Sequence, residues 1–169
     1  MAAAGRVGIA TRPRGGDWLR DEMRTLRDES VDVLVSMLTR AEIEELNLTE
    51  EPDACRCAGI EYVNFPVRDR SVPSDDRAAR DLAAALANRV IAGRSIAIHC
   101  RQGIGRSSLM AALLLAHTGI RIDEAWNLIE AARGCPVPDT AEQKSWSCRL
   151  VDARATSSQP GPPGRGFVI

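Results

Sequence analysis

Nine consecutive residues, His99-Cys100-Arg101-Gln102-Gly103-Ile104-Gly105-Arg106-Ser107, bring a thiol, two glycines, two guanidinium groups and a hydroxyl into one short stretch. The glycines let the backbone curl until successive N–H groups point inward as an anion-binding nest. Arg106 can grip two oxygens of one anion in a fork. A helix that begins near Arg106 adds the positive end of its dipole. The same surroundings suit a thiolate at Cys100, because helix N-termini and nearby cations bring cysteine pKa values down to roughly 3.5–7.5. One loop therefore has the means to bind a tetrahedral dianion and to ionise a nucleophile beside it. The alternative is a buried structural cysteine next to a glycine turn.

Such a nucleophile, when it expels an alkoxide or phenolate, needs a proton donor from a separate segment. Phe65-Pro66-Val67-Arg68-Asp69-Arg70-Ser71-Val72-Pro73 follows an expected strand and supplies Asp69, thirty-one residues ahead of Cys100. Asp69 also reads as a solvated loop charge paired with Arg68 and Arg70. Asp75 and Asp76 fall in the first turn of a helix, where acids serve the dipole. Near the C-terminus, Thr140 with Gln143 three residues on is a capping-box pattern.

The elements that must position these groups follow from periodicity and punctuation. Short strands are expected at Arg6–Ala10, Val31–Met37, Ile60–Phe65 and Ser95–His99. Helices are expected from Asp17 as N-cap to about Glu29, over Arg40–Leu46 behind Thr39, and over Glu50–Ala58 before Gly59. Further helices are expected from Ser74 as cap through Ala92, over Arg106–His117, and over Ile122–Ala132 with Ala125, Leu128, Ile129 and Ala132 on one face. The last should run from Asp139 or Thr140 to about Arg154. Strands alternating with helices predict one α/β domain, residues 1–154, whose central, mostly parallel sheet is flanked by helices. The Ser-, Pro- and Gly-rich tail, 155–169, is expected to be disordered.

Bulk properties narrow the classes. The chain has 169 residues, which suits one domain, and a net charge of −1 argues against general affinity for nucleic acid or anionic membrane. Lys144 is the only lysine, a usage that a GC-rich, bacterial genome also produces. The longest apolar stretch, Leu109–Ala116, is too short to span a bilayer. Five cysteines without a secretory signal suggest free thiols in a reducing cytoplasm. Neither Cys55-Arg56-Cys57 nor the two histidines has metal-ligand spacing, so no metal site is expected.

The spacing His-Cys, five residues, Arg, Ser resembles the signature of the protein tyrosine phosphatase superfamily. The compact size resembles its dual-specificity-type members. That resemblance implies a cysteine-dependent phosphatase acting on phosphate monoesters through a cysteinyl-phosphate, without a cofactor. Cys100 would be the nucleophile, and Arg106 with the backbone of Arg101, Gln102, Gly103, Ile104 and Gly105 would cradle the phosphate. Ser107 would donate to the sulfur and improve it as a leaving group, while His99 would orient the loop. Pro66-Val67-Arg68-Asp69 resembles the acid-bearing loop of this family, and Gln143 matches a glutamine that positions the hydrolytic water. A lysine-free signature loop argues against phosphoinositide substrates. Phosphotyrosine, phosphoserine or phosphothreonine of proteins and small phosphorylated metabolites stay open. Arg12, Arg14, Arg68, Arg70 and Arg101 would favour acidic substrates if they ring the mouth, and are otherwise ordinary surface charges. The alternative of a different class is a catalytically silent module that docks phosphoproteins.

Overall fold

The computed structural model describes residues 5–155; the expected disordered tail from 156 onward lies outside the described residues. Four strands, β1 (Val7–Ala10), β2 (Val33–Ser36), β3 (Glu61–Asn64) and β4 (Ile96–His99), form one sheet in the order β1-β4-β2-β3. Every pairing is parallel, so the sheet is wholly rather than mostly parallel. Parallel pairing needs crossovers, and helices on both faces supply them. The helices are α1 (Leu19–Asp28), α2 (Arg40–Glu45), α3 (Glu51–Ala58), α4 (Asp76–Ile91), α5 (Arg106–His117), α6 (Ile122–Arg133) and α7 (Ala141–Ala155).

The strand residues alternate between the faces. Ile96 and Ile98 of β4 join Val33 and Val35 of β2 in the larger core, under α4, α5, α6 and α7. Ala97 and Leu34 point the other way, into a smaller core with Leu19 and Met23 of α1 and Cys55 of α3. By the same alternation His99 faces the α1 and α3 side, while Cys100 starts the loop on the larger-core side. Helix α5 is buried along nearly its whole first ten residues and forms the spine of the larger layer.

Several caps differ from the expected ones. Asp17 lies inside a 3₁₀ turn, Gly16–Trp18, and makes no side-chain cap for α1, because a positive φ at Gly16 starts the turn one residue earlier. Asp75 and not Ser74 caps α4, its carboxylate accepting from the Ala78 N–H at 2.9 Å. The buried stripe of α6 is Ala125, Trp126 and Ile129; Leu128 is 40 % exposed, because α7 covers the Trp126 side and the Trp126 Nε1–H donates to Ser147 there. Gly59 at φ 73 ends α3 as expected.

Candidate active site

Strand β4 ends at the carboxyl edge of the sheet between β1 and β2, the position at which α/β sheets hold their ligands. The loop from Cys100 to Gly105 crosses that edge and delivers Arg106 as the first residue of α5. Gly103 has φ 68, and a Cβ there would lie 2.6 Å from the Ala10 carbonyl oxygen, so both conformation and space demand glycine. Arg12 N–H donates to the Arg101 carbonyl and ties the loop to the end of β1.

The loop closes around the sulfur. The Cys100 side chain is buried, with Ser107 Oγ at 3.3 Å and the Gly103 N–H donating to Sγ at 3.3 Å. Burial by itself would raise the thiol pKa. The Ser107 hydroxyl and the backbone N–H groups of Ser107, Gly103 and Gln102 outweigh that and hold the group below its ordinary value of 9.0.

Arg106, 1 % exposed, lies behind the loop and is clamped from the rear. Its Nη1 donates to Glu42 Oε2 at 2.8 Å and to the Val67 carbonyl at 2.9 Å, and Nη2 donates to Glu42 Oε1 at 2.9 Å. Glu42 is itself fixed by the capping box of α2, accepting from the N–H and hydroxyl of Thr39. Burial pushes the Glu42 carboxyl up, but the hydrogen bonds from Arg106 and Thr39 prevail and bring its pKa to about 2. Glu42 was not among the residues singled out from sequence. Its only local signal was the Thr39-x-x-Glu42 capping spacing, which explains it without reference to Arg106, sixty-four residues away.

Asp69 sits at the front of the same guanidinium, with Oδ1 2.9 Å from Nη2 and the carboxylate 60 % exposed. Asp75 and Asp76 stay away from the sulfur; the first caps α4 and the second accepts from Trp146 Nε1 at 2.9 Å. The segment bearing Asp69 is pinned along its length. Val67 N–H donates to the Met37 carbonyl, and Gln143 Nε2 donates to the Ser71 carbonyl at 2.9 Å. Trp146 holds its far end through Asp76. Helix α7 thus holds the segment at Ser71 and the helix that follows it at Asp76.

Gln143 is fully buried. Its backbone N–H donates to Thr140 Oγ1, half of the capping box, but its side chain turns to Ser71 and not back to Thr140. His99, at the end of β4, has Nδ1 3.4 Å from the Cys100 carbonyl and Nε2 3.0 Å from Glu51 Oε1, the latter off the in-line direction of a hydrogen bond. Both side chains are buried. Ile104 is half-buried against the larger core and Gln102 is exposed.

The pocket in front of the sulfur has a volume of about 100 Å³ and is lined by Asp69, Arg70, Cys100, Arg101, Gln102 and Asp139. Only two of the five arginines proposed for the mouth line it. Arg101 is tied to Glu45, while Arg12 and Arg14 border a separate cavity, where Arg14 pairs with Glu22 and lies 4.6 Å from the Trp18 ring centre. With two carboxylates facing two guanidinium groups, the mouth is charge-balanced and not a cationic ring.

Among the described residues no three His, Cys, Asp or Glu side chains are placed to hold a metal ion. No helix among them is long and apolar enough to cross a membrane. The five cysteines are free.

Solved structures with the same architecture include the kinase associated phosphatase KAP, in a form whose catalytic-site cysteine is substituted by serine. It is 21 % identical over 90 % of this chain and 89 % of its own, with a TM-score of 0.79. Tk-PTP in its active form is 25 % identical over 88 % of this chain and 92 % of its own, with a TM-score of 0.71. Human DUSP28 is 18 % identical over 90 % and 95 %, with a TM-score of 0.68. No curated protein sequence matches the chain. The family model described as a polymorphic toxin system DSP-PTPase phosphatase matches residues 7–120, from the first strand through the signature loop to the end of α5. The fold, the signature loop and that match agree, and the chain belongs to this dual-specificity-type family of the protein tyrosine phosphatase superfamily.

Proposed function

We propose that the chain is an active cysteine-dependent phosphatase that hydrolyses phosphate monoesters, on phosphotyrosine and on phosphoserine or phosphothreonine of proteins, through a cysteinyl-phosphate. The observation that carries this reading is the sulfur of Cys100, held below its ordinary pKa by Ser107 and the loop N–H groups and facing the same pocket as Asp69. In the first step the thiolate attacks phosphorus, an S–P bond forms, and the P–O bond to the leaving group breaks. The loop N–H groups and Arg106 take up the charge of the equatorial oxygens.

Glu42 and Val67 occupy three N–H groups of Arg106. The remaining two, on Nε and Nη2, are the pair that a phosphate fork takes. Asp69 now approaches Nη2, so a bound dianion displaces it from the guanidinium. A carboxyl group beside a dianion is favoured in its neutral form, which is the form that can protonate the departing oxygen. Substrate binding and arming of the acid are in this way one event.

The test is hydrolysis of p-nitrophenyl phosphate by wild type and Cys100→Ser, with and without vanadate. Vanadate-sensitive turnover that disappears in the variant is expected. A reduced, folded wild type that binds vanadate without turnover would instead make the chain a silent phosphoprotein-docking module.

A further inference from the structure

A cavity of about 300 Å³ opens on the α1 side of the sheet, about three times the volume of the pocket in front of the sulfur and of a size that holds small molecules. Ala10, Leu34 and His99 form its floor, one residue each from β1, β2 and β4, and α1 covers it with Glu22, Thr25 and Leu26. The loop Thr11–Arg14 closes the remaining side. Leu26 is half-buried although Leu19 and Met23 of the same helix are fully covered, so apolar surface is left on the cavity.

Charge at the rim says what the cavity takes. Arg14 is occupied by Glu22 and by the face of Trp18. Arg12 is half-buried, and among the described residues its guanidinium has no hydrogen bond or ion pair. Glu45 feels its charge but gives both oxygens to Arg101. Drawing a guanidinium part-way out of water without a partner costs free energy, which a bound anion offsets. Arg14 and Glu22 cancel, which leaves Arg12 as the net charge of the rim. The lining includes neither a helix N-terminus nor a glycine N–H, and Glu22 repels a dianion, so the match is a monoanion and not a phosphate. The planar fork of Arg12 fits a carboxylate, and Pro13, Leu26 and Leu34 fit an apolar body behind it.

The walls of this cavity are also supports of the signature loop. Arg12 N–H donates to the Arg101 carbonyl, the Ala10 carbonyl packs against Gly103, and His99 Nδ1 lies 3.4 Å from the Cys100 carbonyl. We propose that the cavity binds a small apolar monocarboxylate through Arg12, and that the bound ligand, by holding Ala10–Arg12 in place, tightens oxyanion binding at the signature loop. The site stands apart from the phosphatase reading, whereas its coupling to the loop rests on that reading. Coupling between two sites is reciprocal, so oxyanion and carboxylate must strengthen each other by one factor.

Phenylacetate is the probe, titrated calorimetrically into the reduced full chain with and without saturating vanadate, which fills the signature loop. Binding at about 0.1–1 mM is expected, the scale for a ligand of about ten non-hydrogen atoms. Arg12→Gln should weaken it by about tenfold or more. Phenylacetamide, which keeps the ring and lacks the charge, should bind wild type no better than phenylacetate binds that variant. Leu26→Phe, which fills the cavity and spares Arg12, should weaken phenylacetate binding as well. Vanadate should bind about fivefold tighter with phenylacetate present, and phenylacetate tighter by the same factor with vanadate present. Absence of binding, competition with vanadate, or equal binding by Arg12→Gln overturns the site. Arg12-dependent binding that leaves vanadate affinity unchanged overturns the coupling. A chain that takes phenylacetate through Arg12 but neither binds vanadate nor hydrolyses p-nitrophenyl phosphate overturns the phosphatase reading and the coupling with it, and leaves the site standing.

Discussion

Glu42→Gln removes the carboxylate behind Arg106 while keeping its size, and its effect can be worked out from the geometry. The wild-type carboxylate accepts two charge-assisted hydrogen bonds from a guanidinium that is 1 % exposed. An amide can accept only one of them and turns an N–H pair toward the other nitrogen. The fall of the Glu42 pKa from an ordinary 4.5 to about 2 is worth roughly 3 kcal/mol at 1.36 kcal/mol per pH unit. Water reaches the edge of this carboxylate, and Asp69 still faces Arg106, so about 2 kcal/mol is the working figure. For a chain of this length that lowers Tm by roughly 4–8 °C at pH 7. The pH dependence gives a second signature. A carboxyl group whose pKa is lower in the fold contributes fully above its unfolded value, near 4.5, and loses that contribution as pH falls through about 2. The melting gap between wild type and Glu42→Gln should therefore be widest at neutral pH and close toward pH 2. On p-nitrophenyl phosphate, a guanidinium without its rear clamp should lower kcat/KM about tenfold to a hundredfold. Differential scanning fluorimetry from pH 7 to pH 2.5, beside initial rates, measures both. A gap that does not change with pH, or no gap at all, would refute the reasoning.

Other predictions follow from the same site. Ser107→Ala removes the hydroxyl that faces the sulfur at 3.3 Å, and the pH profile of Cys100 alkylation by iodoacetate should move upward by about 1–2 pH units; an unmoved profile would show that the backbone N–H groups suffice. Asp69→Asn should slow release of an alkyl leaving group far more than of p-nitrophenolate, and should tighten phosphate binding by freeing Nη2 of Arg106. Equal losses on both substrates, or weaker phosphate binding, contradict that account. Gly103→Ala combines a left-handed φ with a contact of 2.6 Å to backbone, so a melting point lowered by several degrees and loss of vanadate binding are expected. Unaltered vanadate affinity would mean that the loop has another workable shape.

The shape of the signature loop was legible because its residue types stand in nine adjacent positions, and its glycines let the backbone curl until the Gly103 N–H reaches the Cys100 sulfur. The parallel sheet was legible for a related reason: the Val31–Met37 and Ser95–His99 runs are apolar on both faces, as strands covered on both sides must be. What lies across the chain was not. Glu42 was hidden by its own capping box, which explains it locally. Asp139 and Thr140 were equal candidates as helix cap, and only the direction of one hydrogen bond, from Gln143 N–H to Thr140, separates their duties. The buried Glu51 beside His99 had no signal at all, because at the start of a helix an acid is what the dipole prefers. Sequence periodicity reports which face is apolar, and it is silent about which polar group waits on the other side.

The hydrogen bonds from α7 to Ser71 and to Asp76 bear on where this unit can be cut. The region shared with the family, residues 7–120, contains Cys100, Arg106 and Asp69, yet Gln143, which holds Ser71, and Trp146, which holds Asp76, come from beyond it. Recombination or proteolysis that severed the chain between α5 and α7 would leave the thiol and its loop in one piece while removing the brace from the segment that bears Asp69. Such a fragment would also lose Trp146 and Leu150 from the larger core. The end of the matched region and the contacts that hold the Asp69 segment and the start of α4 therefore fall at different points along this chain, some twenty-five residues apart.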